Sequence, residues 1–331
     1  MAIVTYSPAY TLVPTYECFN RCSYCNFRVE PGQDQPLDLD TARQRLQALP
    51  QDVCEILLLS GEVHPRSDQR TAWFERIYSL CQLALDLGFL PHTNAGILSC
   101  AEMTQLKQVN VSMGLMLEQL TPQWLKTVHR YAPSKVPALR LEQLQWAGEL
   151  RIPFTTGLLL GLGETEADWC ETLNVISQIQ QCWGHIQEVI LQPYCPGSQE
   201  IQQGLGCSEA QLLRCVAIAR ELLPETIALQ IPPNLVRSTT LRACLNAGVT
   251  DLGGIGPTDE VNPNYPHATI TQLQKAIAPD WQLVPRLPVY PQYIDWLSIP
   301  LQQAVVKVRS RQTSRTAAKP SRACLQLKPE V

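Results

Sequence analysis

The chain has 331 residues, 45% of them apolar and 17% charged, with a formal net charge of −4. That length suits one large α/β barrel or two average domains, and the apolar share supplies a sizeable core. Residues 307–331 carry seven Lys or Arg against one Glu, leaving 19 Lys or Arg against 29 Asp or Glu, a net of −10, in residues 1–306; an acidic body argues against a broad nucleic-acid surface.

The opening MAIVTYSPAY lacks the charged region and the continuous apolar run of a secretory signal, and no stretch approaches the roughly 18 apolar residues of a membrane span. The expectation is a soluble, cytoplasmic protein without membrane contact. Short apolar runs then alternate with amphipathic stretches, the pattern of βα units around a parallel sheet. Strands are predicted at 11–16, 55–59, 90–94, 110–117, 155–161, 187–192, 227–231 and 250–255. Helices are predicted between and after them at 38–48, 69–87, 101–108, 134–150, 166–180, 208–222, 238–246 and 267–278. Asp38 and Thr165 read as helix caps, and Gly88 and Gly248 as helix stops.

Eight alternating pairs without linker or repeat predict one TIM-type (β/α)₈ barrel over residues 1–306, whose complete closure the pattern leaves open; an open doubly wound sheet is the alternative. The segment 307–331, rich in Ser, Thr, Lys and Arg and without helical periodicity, is expected to be a basic tail lacking fixed structure. In a barrel the chemistry sits at the carboxyl ends of the strands.

After the first strand comes YECFNRCSYCNFR, with Cys18, Cys22 and Cys25 in the spacing C-x₃-C-x₂-C. The other ten cysteines are scattered without ligand spacing, as reduced core thiols would be. Three thiolates are one short of a tetrahedral structural zinc site, whereas on a [4Fe–4S] cube they leave one iron open. A zinc knuckle in a non-enzymatic scaffold remains the alternative.

The cysteine spacing, with Tyr24 just before the last cysteine, resembles the radical S-adenosylmethionine enzymes. The resemblance implies a [4Fe–4S] cluster on Cys18, Cys22 and Cys25, adenosylmethionine on the open iron, and reductive cleavage of its sulfonium to a 5′-deoxyadenosyl radical. It also implies cofactor contacts from Tyr24, from Ser60-Gly61-Glu62 where the family has Gly-Gly-Glu, from Glu118, and from Gly161 and Gly163 in GLLLGLGET.

Within that group YSPAYTLVPTYECFNRCSYCNFR, LQIPPNLV at 229–236 and GVTDLGGIGPTDEVNP at 248–263 closely resemble the CofG family, one subunit of 7,8-didemethyl-8-hydroxy-5-deazariboflavin (FO) synthase, from about residue 5 to residue 300. The resemblance implies a CofH-like radical partner enzyme, a low-potential electron donor and a tyrosine–uracil adduct as substrate, closed to the deazaflavin with loss of ammonia. VILQPYCPGSQ and GIGPT depart from the family's usual wording. Other radical enzymes, of the biotin synthase or menaquinone-pathway cyclase kind, are the rival readings.

Such a substrate needs neutral hydrogen-bonding partners, and the strand ends offer Asn94, Gln192, Tyr194, Gln230 and Asn234. Loss of ammonia needs an acid or base, for which His92, His64 and Asp251 are the candidates. Cys195 is expected to point away from any radical.

Overall fold

The computed structural model describes residues 1–199 and 206–317, with side chains to residue 312. The chain runs β1 (Ala2–Leu12), α1 (Leu39–Gln47), β2 (Glu55–Leu59), α2 (Arg70–Asp86), β3 (Leu90–Asn94), α3 (Cys100–Leu106), β4 (Ser112–Gly114), α4 (Pro137–Glu149), β5 (Phe154–Leu160), α5 (Glu166–Trp183), β6 (Ile186–Pro193), α6 (Glu209–Leu222), β7 (Ala228–Gln230), α7 (Ser238–Asn246), β8 (Asp251–Ile255), α8 (Ile270–Ile277), β9 (Trp281–Pro285) and α9 (Ile299–Ala317).

All pairings are parallel, in the order β2-β3-β4-β5-β6-β7-β8-β1, and β1 pairs again with β2, so the barrel closes. A strand covered on both faces is buried along its whole length, as FTTGLLL of β5 is. The helices start where side chains satisfy free backbone donors: Asp38 accepts from Thr41 N at 2.8 Å, and Thr165 and Asp168 form a reciprocal capping box. Gly88 and Gly248 take positive φ after α2 and α7, as helix stops require.

The first strand lies earlier than 11–16. Its carboxyl half, Ala9–Leu12, pairs with β2, and its amino half, Ala2–Tyr6, pairs on the same edge with β9, a strand that the apolar pattern did not reveal. From β9 the chain crosses the amino end of the barrel. Leu287, Val289, Tyr293 and Leu297 pack there with Leu301, Val305 and Val308 of α9 against Cys54, Leu90 and Val111, sealing that end.

The expectation of a tail without structure from 307 is therefore corrected for residues 307–317, which continue α9 because Val308 is buried on the barrel and Arg311 donates to the Val53 carbonyl at 3.2 Å. The rest of that segment, 318–331, lies outside the described residues. No described helix is long and apolar enough to cross a membrane.

Candidate active site

At the carboxyl end of the barrel the loop after β1 is clamped from two sides. Gly61, in the turn after β2, donates to Thr15 O at 2.8 Å, and Phe19 N donates to Glu62 O at 3.0 Å. The contact is so close that a Cβ on Gly61 would lie 2.1 Å from Glu17 O, so only glycine fits. On the other side Arg21 N reaches Tyr131 O at 2.7 Å and Ser23 N reaches Val128 O at 3.0 Å. The Asn20 amide spans the gap, donating to Ser134 Oγ at 2.8 Å and lying 3.8 Å from Cys18 Sγ.

Cys18, Cys22 and Cys25 line one cavity of about 300 Å³ together with Tyr24, Ser60, Gly61, Glu62 and Glu118. Ser60, Gly61, Glu62 and Glu118, distant in sequence from the cysteines, thus share one cavity with them. Burial pushes the Cys18 thiol up to about 11 and Cys22 to about 12, so a bound cation would be needed to make them thiolates.

Charges that sequence reasoning missed complete the wall. Lys135 donates to Glu118 at 2.5 Å, and Arg140, only 2% exposed, lies 3.4 Å from Glu62 while donating to the Met116 and Ser134 carbonyls. Burial and Arg140 lower the Lys135 ammonium, but Glu118, Cys22 and Glu62 outweigh them and raise it. Glu118 holds φ 67°, a strained value for a residue with a side chain, which aims its carboxylate at Lys135. Tyr24 meets His129 Nε2 at 3.0 Å. Burial, with the nearby Lys135 and Arg140 charges, lowers His129 to about 2, so this ring is neutral.

A second cavity, of about 130 Å³, adjoins the first across Leu57, Leu59, Ile190 and Gln192, which line both. Asn94 and Tyr194 line the first cavity, and Gln230 and Asn234 line the second. These residues are the strand-end polar groups read from the sequence.

Six residues singled out in the sequence are placed otherwise than expected. His92 and Asp251 line neither cavity, because both sit in the layer nearer the sealed end. Ser112 spends its hydroxyl proton on Pro288 O at 2.7 Å, so it accepts from His92 Nδ1 at 2.7 Å, and burial followed by Arg286 lowers His92 to about 3. Asp251 is gripped by Arg286 at 2.6 and 2.8 Å, by Thr5, and by Gly253 N at 2.6 Å. Exposed His64 packs edge-on against Phe19 outside the cavities. Gly161 and Gly163 also lie outside the cavity walls, in a turn closed by Glu164, which accepts from Gly161 N at 2.6 Å and Leu162 N at 2.8 Å; Leu159 is the β5 residue that reaches the cavity. Cys195, expected to point away, is among the lining residues, its Sγ 3.6 Å from Leu235 O.

The Radical SAM superfamily model matches residues 12–176. The 7,8-didemethyl-8-hydroxy-5-deazariboflavin synthase of Trichormus variabilis is 61% identical over 310 residues, 93% of this chain and 91% of that one. The synthase of the same name from Synechococcus elongatus is 59% identical over 95% of both chains. The chain belongs to this synthase family. It is a radical S-adenosylmethionine enzyme that uses a [4Fe–4S] cluster and adenosylmethionine. At the level of fold alone, it is similar to the [FeFe]-hydrogenase maturase HydG of Carboxydothermus hydrogenoformans, with a TM-score of 0.71 at 17% identity, covering 96% of this chain and 79% of that one.

The residues present fit the cofactors. Three thiols face one cavity whose wall carries two acid–base ion pairs, suited to the charged methionine end of adenosylmethionine, beside a glycine turn that brings backbone acceptors up to the cysteine loop.

Proposed function

We propose that this enzyme converts 5-amino-5-(4-hydroxybenzyl)-6-(D-ribitylimino)-5,6-dihydrouracil into 7,8-didemethyl-8-hydroxy-5-deazariboflavin, with ammonia, 5′-deoxyadenosine and methionine released. A CofH-like radical enzyme supplies the adduct, and a low-potential donor supplies the electron.

The observation that carries this reading is the shared wall between a cysteine-lined cavity and one lined by neutral amides. The second cavity presents Gln192, Gln230, Asn234 and Asn262 and, among its described lining residues, neither Lys nor Arg; its two carboxylates are engaged within the protein, Asp259 by four donors and Glu260 by the Tyr16 hydroxyl at 2.8 Å. That composition suits a ligand rich in hydroxyls and amides and without net charge, because each amide supplies both a donor and an acceptor. Residues Cys18, Cys22 and Cys25 would hold the cluster, and Gly61, Glu62, Glu118, Lys135 and Arg140 the adenosylmethionine. When bound, these cofactors supply a carbon radical that abstracts hydrogen. Leu57, Leu59 and Ile190 then form the apolar walls that keep water and stray hydrogen donors from the passage between the two cavities.

The test is anaerobic turnover of the reconstituted protein with adenosylmethionine, a reductant and the adduct. Deazaflavin fluorescence should rise in step with 5′-deoxyadenosine. Cleavage of adenosylmethionine without deazaflavin would mean that the adduct is not the substrate.

A further inference from the structure

The second cavity contains two polar atoms that the protein leaves unpaired. Asn234 spends both amide hydrogens inside the protein, donating to Asp259 Oδ2 and to Tyr265 O, each at 2.8 Å, while its Oδ1 is buried without a partner. His267 Nδ1 is likewise buried and unpartnered, and both residues line the cavity.

Asp259 explains why the amide cannot turn over. Its Oδ1 accepts from Val261 N and Asn262 N, both at 2.9 Å, and its Oδ2 accepts from the side chains of Asn234 and Asn262. A carboxylate saturated with donors has nothing to donate, so it holds the NH₂ end of Asn234 towards itself. The carboxamide oxygen is therefore the end offered to a ligand. His267 lies close enough for the Asp259 charge to oppose the lowering that burial imposes on it, and the net lowering keeps its ring neutral, with one donor and one acceptor nitrogen.

We propose that Asn234 Oδ1 and His267 read the cyclic imide edge of the substrate's pyrimidinedione ring, the oxygen accepting from the ring N–H and the imidazole donating to a flanking carbonyl. The assignment rests on the substrate reading above and adds which atoms select the ring. An unpaired buried acceptor costs enough that a site built around one rejects ligands lacking the matching hydrogen.

The experiment titrates the iron–sulfur-loaded protein anaerobically with two probes, the deazaflavin product and its derivative methylated on the imide nitrogen, following deazaflavin fluorescence. Wild-type protein should bind the unmethylated probe at least about tenfold more tightly. Asn234→Ala should bring the two affinities within about twofold of each other, and His267→Phe should weaken both probes while keeping the preference. Equal binding by the wild-type protein overturns the inference without any variant, and so does a preference that survives in Asn234→Ala. If neither probe binds, the pyrimidinedione reading of the cavity fails, and this assignment fails with it.

Discussion

At the amino end of the barrel Arg286 is enclosed by Asp251, Glu188 and Tyr290. At the carboxyl end Lys135 and Arg140 meet Glu118 and Glu62 in the wall of a cavity. Both sets are buried ion pairs, yet their surroundings differ. Around Arg286 every carboxylate has a donor within the set, and the crossing segment 286–297 shuts out solvent. Burial raises Glu188 despite Arg286, whereas Arg286 and its hydrogen bonds overcome burial and lower Asp251. The upper set faces open space lined with thiols. The same chemistry is thus closed on itself at the floor and left open on one side at the cavity.

The sharpest way to break this contrast acts at the open end. Cys22→Ala removes one of the three proposed cluster ligands, and cluster-dependent cleavage of adenosylmethionine should fall to background, with iron and acid-labile sulfide lost in proportion. The fold should survive, because the cysteine loop donates backbone hydrogen bonds to the carbonyls of Glu62, Val128 and Tyr131, which clamp it independently of a cluster. If the variant failed to fold, the open end would be structural as well.

The next largest effect lies at the floor. Arg286→Met leaves Asp251 charged, fully buried and without its counter-ion, which should cost about 3–5 kcal/mol in urea unfolding. A loss below about 1 kcal/mol would mean that water reaches the floor and that the two ends are not so different.

Part of this division was legible in the sequence. The cysteine spacing, the glycine turn at Gly61 and Glu118 could be read because each chemical role demands a residue type at a fixed distance from a strand end. Lys135, Arg140, Asp259 and His267 could not: a charged residue beginning a helix, or one in a loop, reads as solvated until packing buries it. The same limit bears on His92 and Asp251. They occupy strands as expected, but sit one layer below the cavity, and strand periodicity says which face a side chain takes without saying how deep it lies. The strand β9 escaped notice because WQLVP is a short run that gains its meaning only from the free lower half of the β1 edge.

His92 sharpens the contrast through pH. Its folded value, about 3, lies below the ordinary 6.5, so the unfolded chain takes up a proton that the folded protein refuses. The neutral ring contributes stability that is complete above the unfolded value and is lost as pH falls from about 6.5 towards 3, at about 1.4 kcal/mol per pH unit. Between pH 6.5 and 4, wild-type protein should lose about 2–3 kcal/mol more than His92→Gln. The buried carboxylates Glu55 and Glu188 are common to both proteins and cancel in the difference. If instead the substitution altered the pH dependence of deazaflavin formation and left this slope alone, His92 would be an acid–base group of the reaction.

The smallest effect concerns what holds the floor shut. Val308 is 2% exposed against the barrel, whereas its neighbour Lys307 is exposed on the same helix. Truncating Val308→Ala removes two methyl-sized groups from a closed apolar cluster with Leu301 and Val305, for a loss of about 1–2 kcal/mol. Lys307→Ala should stay within about 0.5 kcal/mol of wild type. Equal, negligible effects would mean that α9 is only a solvated basic segment, and the closure of the amino end would then rest on residues 287–297 alone.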